Sequence, residues 1–195
     1  MSPQYPIVII SGPSGAGEDS IIEGLMKRLP LERVITTTTR VPRFNEYEGH
    51  PYHFISDEAF EKILHADGFV EHAQQYNNKQ YGVSFEELER VRQSGKIGIW
   101  KLDYKGVQHA KTLIPAIKAV LIDAPLDQLE ARIRRRDHVD DAFVAERMVY
   151  TKEWLNHTDL YDFEVVNEDG KLLESIDKTE DIIRHIAGLD KKSKI

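Results

Sequence analysis

The stretch Gly12-Pro13-Ser14-Gly15-Ala16-Gly17-Glu18-Asp19 constrains this chain more than any other. A short apolar run, Tyr5 to Ile10, precedes it, and a helical pattern with Ile21, Ile22, Leu25 and Met26 on one side follows. Strand, glycine-rich turn and helix, in that order, is the setting of a phosphate-binding P-loop. Glycines let successive backbone N–H groups turn inward, and the helix N-terminus adds positive potential. Gly12, Ser14, Gly15, Ala16, Gly17, Glu18 and Asp19 are therefore candidate nucleotide-binding residues.

A P-loop ordinarily closes on Gly-Lys-Ser or Gly-Lys-Thr, whereas here Glu18 and Asp19 fill the last two places. One positive charge becomes two negative ones. Two like charges about 4 Å apart repel by roughly 4 kcal/mol at an effective dielectric near 20, so a bare triphosphate should bind this loop poorly. A magnesium ion between Asp19 and the phosphates reverses the sign, because Mg2+ favours one or two carboxylates plus phosphate oxygens. The competing reading is a glycine-rich turn that binds nothing.

The chain has 195 residues, 41% hydrophobic and 30% charged, which suits one globular domain with a sizeable core. A net charge of −7 argues against a general nucleic-acid binder. Cysteine is absent, which excludes disulfides, thiol catalysis and cysteine metal sites. No apolar run approaches a membrane span and no signal-peptide pattern opens the chain, so a cytoplasmic, membrane-independent protein is expected. The basic end, Lys191 to Ile195, reads as a solvated tail.

Apolar runs at 5–11, 97–102, 119–122 and 163–166, separated by helical patterns, predict a parallel α/β sheet. Val34 to Thr39 reads as one further strand. Arg40 and Arg43, three apart in a polar segment marked by Pro42, suit an anion clamp, with a solvated loop as the alternative. Tyr52–Ile55 reads as a short strand and Ser56 as a helix cap. Residues 69–75 and 80–83 predict an antiparallel hairpin, and Ser84-Phe85-Glu86-Glu87 a capping box. Residues of about 34 to 96 thus form a mixed, strand-rich insertion. Asp103 follows a central strand, where open α/β sheets bind ligands. Arg132, Arg134, Arg135 and Arg136 crowd a helical hairpin, which reads as a mobile lid closing on phosphates or as an exposed basic face.

Taken together, these segments resemble the guanylate kinase family over nearly the whole chain. The matching stretches are Val8 to Gly17, Thr36 to Phe54, Phe69 to Ala73, Tyr81-Gly82, Leu102 to Gly106, the arginine-rich hairpin and Val165-Val166-Asn167. The resemblance implies a P-loop kinase fold: a five-stranded parallel core sheet with helices on both faces, a mixed α+β GMP-binding insertion and a helical lid. It divides a single domain into core (1–33, 97–129 and 157–195), nucleoside monophosphate-binding subdomain (34–96) and lid (130–156). It implies transfer of the γ-phosphoryl of ATP to GMP with Mg2+, in a monomer or homodimer.

By position, the resemblance implies that Arg40 and Arg43 grip the GMP phosphate, supported by Glu46, Tyr52 and Tyr81. It implies that Thr36 and Glu71 read guanine, whose N1–H and N2 amine a carboxylate can accept together and adenine cannot offer. Asp103 is implied near the nucleotide and, with Asp19, the metal. Arg136 and Arg147 match lid arginines that neutralise the transferring phosphoryl. The departures are equally specific. Glu18 replaces the P-loop Lys. Asp19 stands where Ser or Thr is usual, as in the related ribose bisphosphate kinases. Val83 replaces a hydroxyl residue near the base, Lys101 an acid, and Lys105 a Gln. Lys101 and Glu18 together suggest a swap, in which Lys101 either pairs with Glu18 or supplies the charge that the loop lacks. Independent drift in a protein that no longer uses ATP is the alternative, and would leave a pseudokinase that binds GMP or a phosphorylated ligand. A kinase with a changed acceptor, motivated by Val83, is the third expectation.

Overall fold

The computed structural model describes residues 6–42, 44, 46–50, 52–74, 78–137 and 140–189, with the side chains of 136 and 137 left aside. Five parallel strands form the main sheet in the order β2-β7-β1-β8-β9. They are β1 (Ile7–Ser11), β2 (Leu31–Arg33), β7 (Ile97–Lys101), β8 (Lys118–Asp123) and β9 (Phe163–Val166). The central strands are apolar nearly throughout because both faces are covered. Val8, Ile10, Ile97, Ile99, Val120 and Ile122 point to one face, under α1 (Glu18–Met26) and α7 (Leu172–Ile186). Ile9, Trp100 and Ala119 point to the other, under α3 (Phe85–Gln93) and α4 (Tyr104–Leu113).

A second sheet has four strands in the order β4-β3-β6-β5. It comprises β3 (Thr36–Thr38), β4 (Tyr52–Phe54), β5 (Phe69–Gln74) and β6 (Gln80–Ser84). β3 and β4 run parallel, and β6 is antiparallel to both β3 and β5. On α2 (Asp57–His65), Phe60 stacks on Phe69 with ring centroids 4.3 Å apart. Ser56 caps α2 by accepting from Ala59 N at 3.1 Å.

The strand expected over Val34–Thr39 is found as the shorter β3, Thr36–Thr38, with Val34 and Ile35 making the passage from the main sheet. β2 belongs to the main sheet and pairs with β7; β3 belongs to the second sheet. Glu87 explains the break. Ser84 Oγ caps α3 by accepting from Glu87 N, but the Glu87 carboxylate does not reach back to complete a capping box. It accepts from Ile35 N at 2.7 Å and binds Arg90, which holds Glu32 and the Arg33 carbonyl. A backbone donor that a continuous strand would spend on a neighbour is thus satisfied by a buried side chain. The last two helices before β9 are α5 (Leu126–Asp137) and α6 (Asp141–Leu155), with Asp140 capping α6 at Phe143 N.

Candidate active site

β1 ends at Ser11, and the chain turns at once into the glycine loop. A Cβ on Gly12 would lie 2.3 Å from the Ile122 carbonyl oxygen, so only glycine lets the loop leave the sheet here. Gly17 takes φ +93° as the N-cap of α1, a left-handed conformation open to glycine at little cost. Side chains hold the loop from behind. Asn167 Nδ2 donates to the Ala16 carbonyl at 2.8 Å. Arg132 donates to the carbonyls of Gly15 at 3.1 Å and Asn167 at 2.8 Å, and pairs with Asp169 at 2.7 Å. The Ser11 and Tyr161 hydroxyls lie 2.9 Å apart, and Trp154 Nε1 donates to Tyr161.

The two loop acids diverge. Glu18 folds back over the loop, its Cγ 3.1 Å from where a Gly12 Cβ would sit. Burial pushes its carboxyl up, against the opposing pull of Lys101 and of the Gly17 and Glu18 amides. Asp19 points outward and is 59% exposed. Lys101 Nζ reaches its Oδ2 at 2.6 Å and Arg33 Nη2 its Oδ1 at 3.0 Å. Burial would raise the Asp19 carboxyl; Lys101 and then Arg33 outweigh it and hold the group below its ordinary range. Lys101 was expected either to pair with Glu18 or to supply the charge that the loop lacks; its direct ion-pair partner is Asp19, and Glu18 acts on it only through the field.

The second sheet gathers another cluster. Arg40 pairs with Glu46 at 2.8 Å and donates to the Val41 carbonyl at 2.9 Å. Its guanidinium lies 5.5 Å from the Tyr52 ring centroid and 5.8 Å from that of Phe54. Tyr52 and Tyr81 meet edge to face at 5.8 Å. The strand pairing makes this cluster: Thr36 is opposite Tyr52, and Thr38 opposite Tyr81. Burial pushes the Tyr52 phenol up, and the charges it feels are those of Lys101, Arg40 and Asp19. Tyr52 thus lies within electrostatic range of Lys101 and Asp19 at the head of α1. Glu71 is pushed up to about 7 by burial and then by the charge of Asp103. Arg43 lies outside the described residues, as does the Arg136 side chain.

Asp103 is less available than expected. Its Oδ1 caps α4 by accepting from Gly106 N at 2.8 Å, and its Oδ2 accepts from the Tyr150 hydroxyl at 3.2 Å. On the hairpin, Arg147 packs 5.1 Å from the Phe143 ring centroid, and Arg134 joins Glu130 to Asp141. Arg33, Tyr150 and Tyr161 escaped the sequence reading. Arg132 was visible in its cluster, but nothing local marked it as the residue that supports the loop.

The guanylate kinase family profile matches residues 4–186. The chain is 34% identical over 170 residues to a guanylate kinase of Escherichia coli O157:H7, covering 85% of this chain and 82% of that protein. It is 35% identical over 167 residues to a guanylate kinase of Idiomarina loihiensis, covering 84% and 79%. The chain belongs to the guanylate kinase family. The crystal structure of a guanylate kinase from Anaplasma phagocytophilum superposes with a TM-score of 0.74 at 22% identity, over 96% of this chain and 89% of that one, and so shares its fold.

As a guanylate kinase family member, the protein is a phosphotransferase of the nucleoside monophosphate kinase type, a group that generally uses ATP and Mg2+. Among the described residues, no group of three or more His, Asp or Glu could by itself hold a metal ion. Asp19 fits a metal that arrives with phosphates, being exposed and at the head of α1. Asp103 has both oxygens engaged by neutral donors and Asp19 both by cations, so either carboxylate would have to share or release a donor on meeting a metal. Of the family departures, Val83 lies directly opposite Glu71 and is fully buried, so it offers a methyl where a hydroxyl would donate. Lys105 is exposed, 5.7 Å from the Tyr104 ring centroid. No helix among the described residues is long and apolar enough to cross a membrane.

Proposed function

We propose that this protein transfers the γ-phosphoryl of ATP to GMP, with Lys101 supplying the cation that its glycine loop lacks. The observation that carries the reading is the Arg40 cluster. An arginine side chain only 11% exposed, fixed by Glu46 and set beside Tyr52 and its edge-to-face partner Tyr81, is a prebuilt phosphate grip, and Tyr52 feels the charges of Lys101 and Asp19.

In this reading Arg40 and Arg43 hold the acceptor phosphate, aided by the Tyr52 and Tyr81 hydroxyls, while Glu46 fixes the arginine. Thr36 and Glu71 read the guanine edge. The amides of residues 12–19 cradle the donor phosphates at the start of α1. An acceptor phosphate oxygen attacks the γ-phosphorus in line, and the protein contributes positioning and charge neutralisation with no covalent intermediate. Lys101, Arg136 and Arg147 provide that neutralisation. Mg2+, which the family generally uses, would shield phosphate charge, and Asp19 is the carboxylate we assign to it. Asp103 we assign to holding α4 and α6 beside the cleft, next to the nucleotide and the metal.

ADP release measured with ATP, Mg2+ and each of GMP, dGMP, AMP, UMP and CMP tests the proposal. Turnover should require GMP and fall at least about tenfold in Lys101→Ala. Turnover that depends on another monophosphate would transfer the reading to a kinase of that acceptor. One observation favours a second reading, a pseudokinase that binds GMP or a phospho-ligand: the Glu18 side chain lies over the loop that would hold the donor. GMP binding without turnover, with activity appearing in Glu18→Lys, would favour it.

A further inference from the structure

Asp19 is gripped from two strands at once. Lys101 is the last residue of β7 and Arg33 the last of β2, parallel neighbours in which Arg33 stands opposite Ile99. Side chains alternate along a strand, so 97, 99 and 101 share one face of β7, as do 31 and 33 on β2. Leu31, Ile97 and Ile99 all belong to the core cluster beneath α1. Arg33 and Lys101 therefore emerge beyond that core at the C-terminal ends of their strands, on the face that carries the first turn of α1. Each meets a different Asp19 oxygen, at 3.0 and 2.6 Å. Among the described residues, Asp19 is the sole ion-pair partner of either cation.

This arrangement is expensive to explain as a stabilising contact. Exposed ion pairs contribute about 0–1 kcal/mol each, and placing two cations around one carboxylate adds their mutual repulsion. It is, by contrast, the chemistry of an oxyanion site: two convergent cations, one of them a guanidinium, beside a glycine loop at a helix N-terminus. We propose that Arg33 and Lys101 form a two-cation clamp for a terminal phosphate of the nucleoside triphosphate donor, and that Asp19 fills this clamp as an internal stand-in for that phosphate. The clamp rests on the donor-site reading above and deepens it by adding Arg33, which no feature of the loop itself announces. A P-loop lysine brings its cation on the helix. Here position 18 is acidic, and the cations come instead from the sheet, with a carboxylate on the helix that must release them before phosphate can bind.

The test is calorimetric titration of the full-length protein with sodium tripolyphosphate in EDTA, where neither metal nor turnover contributes. Asp19→Asn removes the stand-in with little change of shape and should tighten tripolyphosphate binding about tenfold or more, equivalent to about 1.4 kcal/mol. Arg33→Gln and Lys101→Gln should each weaken it by a similar factor in the Asp19→Asn background. Arg33→Lys should restore part of the loss. No gain in Asp19→Asn, or a gain that survives Arg33→Gln, overturns the clamp. If the Arg33 variants do not fold, Asp19→Asn and its Lys101→Gln double variant decide the question in the same way. Because tripolyphosphate binding is read without an acceptor, a protein that fails to phosphorylate GMP still reports on the clamp. Failure of turnover with these shifts intact overturns only the kinase reading.

Discussion

Glu71 shows how much one side chain's setting controls. Burial and the nearby Asp103 raise its carboxyl to about 7, from an ordinary value near 4.5. Guanine recognition needs the ionised form, which accepts from N1–H and the N2 amine together. GMP affinity should therefore climb as pH rises through about 7, and Glu71→Gln should bind GMP weakly with a flat profile. Isothermal titration between pH 5.5 and 8.5 checks this. Stability moves the opposite way. With its folded value above its unfolded one, Glu71 contributes fully below about pH 4.5, and that contribution is lost as pH rises through about 7. At pH 8, Glu71→Gln should be more stable than the parent protein by on the order of 2 kcal/mol, read from denaturant midpoints. Val83 compounds the effect, since the residue opposite Glu71 has no hydroxyl to lower the carboxyl.

At the scale of elements, the glycine loop is held by α5 and by the turn after β9. Arg132 on α5 links the Gly15 and Asn167 carbonyls and Asp169, and its side chain is 17% exposed. Arg132→Ala would leave two carbonyls of the site without their donor and Asp169 without its cation. We expect a loss of about 2 kcal/mol in global stability. ATP affinity should fall further than that of Arg134→Ala, whose partners Glu130 and Asp141 lie on the hairpin itself. Equal effects of the two variants on ATP affinity would refute a loop-supporting role for Arg132. The same scale explains why the strand expected over Val34–Thr39 is cut to Thr36–Thr38. Its composition is strand-like throughout, and only the Glu87 carboxylate, fifty residues away in sequence, reveals where one sheet hands the chain to the other.

For the molecule as a whole, we assign residues 34–96 to an acceptor-binding subdomain and 130–156 to a lid over a core made from the remainder. The connection that matters is electrostatic. Tyr52, on the second sheet, feels Lys101 and Asp19 on the main one. Tyr150 of α6 donates to Asp103 at the head of α4, tying hairpin to core. Substrates that bridge the halves neutralise the cations lining the cleft and should draw the two sheets together. Small-angle scattering should show a smaller radius of gyration with GMP and a non-hydrolysable ATP analogue together than with either ligand by itself. An unchanged radius with both bound would contradict this division.

Local patterns in the sequence determined the α/β class, the glycine loop between β1 and α1, and the helix caps at Ser56 and Ser84. Each of these is set by interactions within a few residues: backbone conformations that glycine permits, one-residue alternation, and side chains that satisfy nearby amides. The ordered set of motifs also pointed to the guanylate kinase family, because such a set encodes a whole site in segments. Only the tertiary structure decided which charges meet. Lys101, expected to pair with Glu18 or to supply the loop's missing charge, meets Asp19 directly. Arg33 entered the site because β2 lies beside β7, a neighbour relation that no stretch of β2 records. Asp103, read from its place after a strand, also caps α4 through Gly106 and accepts from Tyr150, contacts that no local pattern announced. Ion pairs and hydrogen bonds are decided over a few ångströms, whereas residues 19, 33 and 101 are brought within that range only by the order of strands in the sheet.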